Sequence, residues 1–181
     1  LRKRAGWIIR QQQFFQSFGE ITPKRRYISG ESHLYLGRQY MLRVIEGKRN
    51  EVKYSGHYFE VECTSRDKVE SLMNEWYHAR AKLKFPEIAE PILQKFELYY
   101  VSPQGLYIQK MQHRWGSCTR SGKIILNREL IKTPRLCIEY VIVHEMCHLV
   151  HPNHTKEFYH LLEKIMPDWE KWKNKLERIM R

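Results

Sequence analysis

The chain has 181 residues, 32 Lys and Arg against 20 Asp and Glu, and a formal net charge of +12 at pH 7. That length suits one domain, or a catalytic domain with a small appendage, and allows a core that needs no disulfide scaffold. No apolar run is long enough to span a bilayer and the first residues carry no signal-peptide core, so the reading is a soluble, cytoplasmic protein with no membrane partner. Trp7, Ile8, Gln11, Phe14, Phe15 and Phe18 recur at helical spacing and predict an amphipathic helix to about Phe18, its aromatic stripe belonging to a core.

From Ser32 to Cys63, short runs of Tyr, Val, Leu, Ile and Phe broken by Gly37, Gly47, Asn50 and Gly56 predict strands and hairpins, with 57–63 the clearest strand. Ser65 and Asp67 are placed to cap a following helix whose apolar face is marked by Val69, Leu72, Met73, Trp76 and Leu83. Pro86 is expected to divide that helix from a second one running through Phe96. The segments 105–111 and 122–127 read as two strands that pair. Thr133 and Pro134 look like an N-cap and a first-turn proline, opening a helix that Pro152 ends. Two more helices follow, one from Asn153 or Thr155 to Met166 and one opened by Pro167 and Asp168, with Trp169, Trp172, Leu176 and Ile179 on one face.

Cys63, Cys118, Cys137 and Cys147 form no Cys-x-x-Cys pair, so neither a zinc ribbon nor a redox dithiol is indicated and reduced thiols are expected. The chemistry is carried instead by His144-Glu145-Met146-Cys147-His148. Residues four apart on a helix lie one above the other, so His144 and His148 can grip one cation, while Glu145 projects beside it as a general base. Zinc suits nitrogen ligands, and a catalytic zinc takes three protein ligands and leaves a fourth position free. His154 is the favoured third ligand, because Pro152 and Asn153 turn the chain back towards the metal. His151, Glu163 and Glu170 are its rivals. Cys147 points about 100° away from His148 and is read as core.

Two segments resemble the YgjP-like metallopeptidase family, related to the SprT and WLM groups of minimal zinc peptidases. One is Arg114-Trp115-Gly116-Ser117-Cys118 followed by 122–127 and Leu130. The other is Tyr140-Val141 through His148, then His151-Pro152-Asn153-His154 and Phe158. The resemblance covers about the last half of the chain, and the family's N-terminal strands read as absent or cut short. It implies an α+β, zincin-like fold: a small mixed or antiparallel sheet packed on an active-site helix, with His144, His148 and His154 on the metal positions and Glu145 on that of the base. The expected division is an N-terminal helix and β-hairpin region over 1–64 and a catalytic domain over 65–181.

The expected function is a Zn2+-dependent metallopeptidase acting on a peptide or protein. Arg114 is a candidate to stabilise the tetrahedral oxyanion, or else pairs with a carboxylate in the fold. The strand 123–127 is either the sheet edge that receives an extended substrate or plain core. The positive charge admits nucleic acid as a partner through a basic surface, although Lys24-Arg25-Arg26 and Lys171, Lys173 and Lys175 equally describe a solvated face. The competing reading is therefore a nucleic-acid-associated protein with a structural zinc, with a DNA-associated protease as the hybrid.

Overall fold

The structure, a computed structural model, describes residues 25–179. The helix expected near Trp7 to Phe18 lies outside the described residues. The described chain opens with a four-stranded mixed sheet of β1 (Ser32–Tyr35), β2 (Arg38–Glu46), β3 (Glu51–Ser55) and β4 (Tyr58–Cys63), in the order β1-β2-β4-β3. β1–β2 and β3–β4 pair antiparallel, and β2–β4 pair parallel. Alternation in β4 places Phe59, Val61 and Cys63 wholly inside and leaves Glu60 and Glu62 on the outer face, as period-2 side-chain geometry requires. The strands expected between Ser32 and Cys63 are thus present, with a parallel β2–β4 pair joining the two hairpins.

Helix α1 (Val69–Phe96) lies across this sheet. Its buried stripe of Val69, Met73, Tyr77, Ala81, Phe85, Ala89, Ile92 and Phe96 repeats every three or four residues, so one face meets the core along the whole length. Rings from both elements interlock here, with Phe59 and Trp76 edge to face at 4.8 Å and Tyr35 and Trp76 at 4.9 Å. Trp76 joins this face, whereas Leu83, expected on it, is exposed. Neither Ser65 nor Asp67 caps α1. Ser65 precedes a 3-10 turn over Arg66–Lys68, and its hydroxyl donates to the Asp67 carboxylate.

The break expected at Pro86 does not occur, because both Pro86 and Pro91 sit inside α1. An interior proline costs about 3 kcal/mol. Phe85, Ile88 and Ile92, all buried around the two prolines, return about 1.5–3 kcal/mol each. The buried stripe outweighs the lost hydrogen bonds.

The second sheet contains β5 (Gly105–Gln109), β6 (Gly116–Cys118) and β7 (Lys123–Asn127), ordered β5-β7-β6. The expected pairing of β5 with β7 is present and parallel; β6 pairs antiparallel on the far side of β7. β7 is consequently central, with Ile124, Leu126 and Asn127 buried. It is not the edge that could receive a substrate strand; β6 is one edge and β5 the other.

Three helices complete the fold: α2 (Arg135–Val150), α3 (Lys156–Ile165) and α4 (Trp169–Ile179). α2 packs against α1, α3, α4 and β6, and buries Cys137, Ile138, Tyr140, Val141, Ile142, Val143, Met146 and Cys147. A helix apolar around most of its circumference is a core helix. Its N-cap is Pro134 rather than Thr133, whose hydroxyl instead donates to the Leu130 carbonyl at 2.8 Å and closes the 3-10 turn over Arg128–Lys132. No helix among the described residues is long and apolar enough to cross a membrane.

The two sheets are joined where the β1–β2 turn meets the entrance of α2. The N–H groups of Leu36 and Gly37 donate to the carbonyls of Ile131 and Lys132 at 2.9 and 3.1 Å. Gly37 has φ +80°, and a Cβ there would stand 2.6 Å from Cγ of Pro134 and 2.9 Å from its Cα and N. Left-handed backbone costs a non-glycine residue about 1–2 kcal/mol, and the contact with Pro134 backbone adds to that. Gly56 is also left-handed, at φ +56°, but its Cβ would meet open space. Urea denaturation is expected to show Gly37→Ala losing about 3 kcal/mol and Gly56→Ala only about 1 kcal/mol; equal losses would mean that the Pro134 contact carries no weight.

Candidate metal centre

His144 and His148 stand on consecutive turns of α2, and the loop from His151 to Thr155 brings His154 against them. Their ring centroids are 5.0 Å (144–148), 4.6 Å (148–154) and 5.0 Å (144–154) apart, and Nε2 of His144 lies 3.1 Å from Nε2 of His154. One nitrogen from each ring falls within 4.8 Å of the others. Phe158, fully buried on α3, touches all three imidazoles with centroid distances of 5.1, 4.7 and 4.6 Å. It holds the rings from the core side.

The group suits a cation on chemical grounds. Burial first, then the His148 and His154 rings, hold the pKa of His144 down to about 3. Burial and His148 also lower that of His154. At neutral pH these rings are therefore neutral, the form in which imidazole ligates. Three nitrogen donors converging with one side open match the demand of a catalytic zinc. Among the described residues no fourth His, Cys, Asp or Glu joins the three. His151 lines a separate cavity with Tyr99 and Glu157, Glu163 also lies there, and Glu170 borders another hollow beside Trp169. Cys147 is fully buried with its thiol pushed up to about 12 by burial, in keeping with the expectation that it faces the core.

Glu145 is 7% exposed. It borders the same cleft as the histidines without belonging to the ligand group. Burial pushes its pKa up to about 7, opposed by the Arg114 guanidinium and a backbone hydrogen bond from Cys118, which favour the carboxylate. This balance leaves a carboxyl that accepts and releases a proton near neutrality. Its position depends on Gly116 in β6, where a Cβ would fall 2.7 Å from Glu145 Oε1, 2.8 Å from its Cγ and 2.8 Å from Val141 Cγ1. The glycine of Arg-Trp-Gly-Ser-Cys is thus the spacer that lets α2 lie against the strand.

Asn127, 2% exposed at the end of β7, is a contributor that sequence reading passed over. Its Nδ2 donates to the carbonyls of Met111 and Arg114, both at 2.9 Å, and its Oδ1 accepts from the Glu129 N–H at 3.2 Å. These bonds hold the loop that carries Arg114 into the cleft. The available clue was a polar residue closing an apolar strand.

The family model of the YgjP-like metallopeptidase domain matches residues 1–179. The chain belongs to this family. The match runs over nearly the whole YgjP-like chain, so the N-terminal half, where the resemblance was loose, is part of the family pattern. The α+β arrangement is that of a minimal metallopeptidase, and the family implies a metal ion and a hydrolase of proteins or peptides. No curated relative matches the sequence. Among solved structures, the metallopeptidase zymogen abylysin of Pyrococcus abyssi is similar over 53% of this chain and 91% of its own, with 20% identity and a TM-score of 0.44. A Wss1 mutant from Saccharomyces cerevisiae is similar over 57% of this chain and 86% of its own, again at 20% identity and a TM-score of 0.44.

Burial of Glu145 makes a prediction for protein stripped of metal by a chelator. The folded carboxyl keeps its proton to about pH 7, while the unfolded chain loses it near 4.5, so stability falls as pH rises through that window. Glu145→Gln removes this liability. In thermal melts of chelated protein the variant is expected to gain on wild type as pH goes from 4.5 to 8, by up to about 3 kcal/mol. A difference that is independent of pH would contradict the assigned environment.

Proposed function

We propose that this YgjP-like protein is a zinc-dependent metallopeptidase in which His144, His148 and His154 hold the metal and Glu145 is the general base. The observation that carries the reading is the convergence of three imidazoles, one nitrogen from each within 4.8 Å of the others, beside a buried carboxyl whose pKa is about 7. Zinc, when bound, acidifies water and polarises a carbonyl. Glu145 takes a proton from the attacking water and passes it to the leaving amine. Arg114, already close enough to act on the Glu145 charge, stabilises the oxyanion that develops on the substrate carbonyl.

The substrate edge is assigned to β6. The Asn127 N–H donates to the Trp115 carbonyl and the Thr119 N–H to the Lys123 carbonyl, so alternation turns the main-chain groups of Gly116 and Cys118 away from β7. Cys118 already directs its N–H at Glu145. An extended peptide laid along this edge comes within reach of the base. The open side of the three-histidine group favours hydrolysis over a structural zinc, which would be closed by a fourth protein ligand. Four free cysteines, three of them buried, suit the reducing cytoplasm.

The net charge of +12 supports a polyanion such as DNA as an accompanying partner, and such binding must weaken steeply as salt rises. Affinity for a DNA duplex that stays constant between low and physiological salt would remove this partner.

Metal analysis and a peptidase assay on unfolded protein test the site together. Wild type is expected to carry one zinc, and His154→Ala to lose it. Glu145→Gln should keep the metal while activity falls by about 100-fold or more. Cys147→Ala should keep both. Wild type without metal, or a fully active Glu145→Gln, would overturn the assignment.

A further inference from the structure

The cleft around the metal-binding histidines has a volume of about 700 Å³, and the one carboxylate among its lining residues is Glu145. Cations, in contrast, enter from three separate elements. Arg114 precedes β6 and Arg120 follows it, and both line the cleft; Lys173 on α4 is close enough to act on His144 and His154. Several cations elsewhere are matched by acids, as in Arg43–Glu60, Arg66–Glu46, Arg135–Glu139 and the pair of Arg128 and Lys132 on Glu129. Among the described residues Arg120 has no such partner.

Arg120 is also held in place. It occupies a turn closed by Gly122 N–H donating to the Thr119 carbonyl at 2.9 Å, with Gly122 at φ +82°. The Thr119 hydroxyl lies 2.9 Å from that of Ser121 and accepts the Lys123 N–H at 3.0 Å. The turn therefore presents one exposed guanidinium at the end of the β6 edge, on a backbone braced by these three hydrogen bonds.

We propose that the cleft selects peptide segments carrying Asp or Glu close to the scissile bond, with Arg120 as the specificity residue that receives the side-chain carboxylate. This rests on the peptidase reading and deepens it. A guanidinium can take a carboxylate through two parallel N–H donors, a geometry that an amide of the same shape does not reward. A cleft whose cations outnumber its one carboxylate also repels Lys and Arg at the same substrate position, so discrimination comes from both directions.

The test uses the zinc-loaded full chain and a peptide series in which Asp, Asn and Lys are placed in turn at each position flanking the cleaved bond. At low salt, Asp is expected to exceed Asn by about fivefold to tenfold in kcat/KM at one position, with Lys the poorest. Arg120→Glu should reverse that order, and Arg120→Lys should retain only part of the preference. Equal cleavage of Asp and Asn peptides, or an order unchanged in Arg120→Glu, overturns the proposal.

Binding of the fluorescein-labelled Asp and Asn peptides to zinc-loaded Glu145→Gln, with and without Arg120→Glu, separates this proposal from the reading beneath it. If no peptide is cut but binding still favours Asp through Arg120, acid selection stands and the peptidase reading falls. If binding shows no preference, acid selection falls. Displacement of the labelled Asp peptide by a single-stranded oligonucleotide more readily than by unlabelled peptide would assign the cleft to nucleic acid and overturn the proposal.

Discussion

The close approach of α2 to β6 is the constraint on which the site depends. A helix bearing Val141 and Glu145 cannot lie against a strand that carries a side chain at the contact point, and a Cβ on Gly116 would fall under 3 Å from both residues. With glycine there, the helix sits low enough for Cys118 to offer its N–H to the Glu145 carboxyl. The same descent brings His144 and His148 to the floor of the cleft, where Phe158 supports them. One missing side chain therefore sets the depth of Glu145, His144 and His148 together.

Burial governs the electrostatics of this site. Desolvation opposes the charged form of any group, and here it acts with opposite sign on two residue types. It keeps His144 unprotonated and ready to ligate, and it keeps Glu145 hungry for a proton. Arg114 offsets part of the second effect, so the carboxyl remains able to ionise near neutrality. The protein thus obtains an unprotonated His144 and a proton-accepting Glu145 from one dry environment.

Much of this was legible in the sequence because helices announce themselves through period and punctuation. The three helices after residue 133 were foreseen to within about two residues, and the convergence of His144, His148 and His154 followed from the four-residue spacing on α2 and the turn made by Pro152 and Asn153. The length of α1 was misjudged because Pro86 is a strong local signal. The competing signal, a stripe continued by Ile88, Ala89 and Ile92, is tertiary in origin. β6 was missed since Gly-Ser-Cys is too short to alternate, and without it β7 could be mistaken for an edge. The N-terminal sheet was under-weighted because its inward residues include Tyr35, which meets Trp76 of α1 through a ring edge, and Tyr40, which packs on Tyr35, and neither carries a motif of its own.

The β1–β2 turn reaches across to the segment leading into α2 with two main-chain hydrogen bonds and a glycine pressed on Pro134. The entrance of the histidine-bearing helix is thus clamped by the sheet furthest in sequence from the histidines. On the proposed metal assignment, binding to the folded arrangement alone makes metal occupancy and the integrity of that distant clamp one thermodynamic cycle. A lesion in the N-terminal sheet would register as weakened metal retention, and saturating metal would in turn rescue the sheet, although no atom of β1 or β2 belongs to the ligand group.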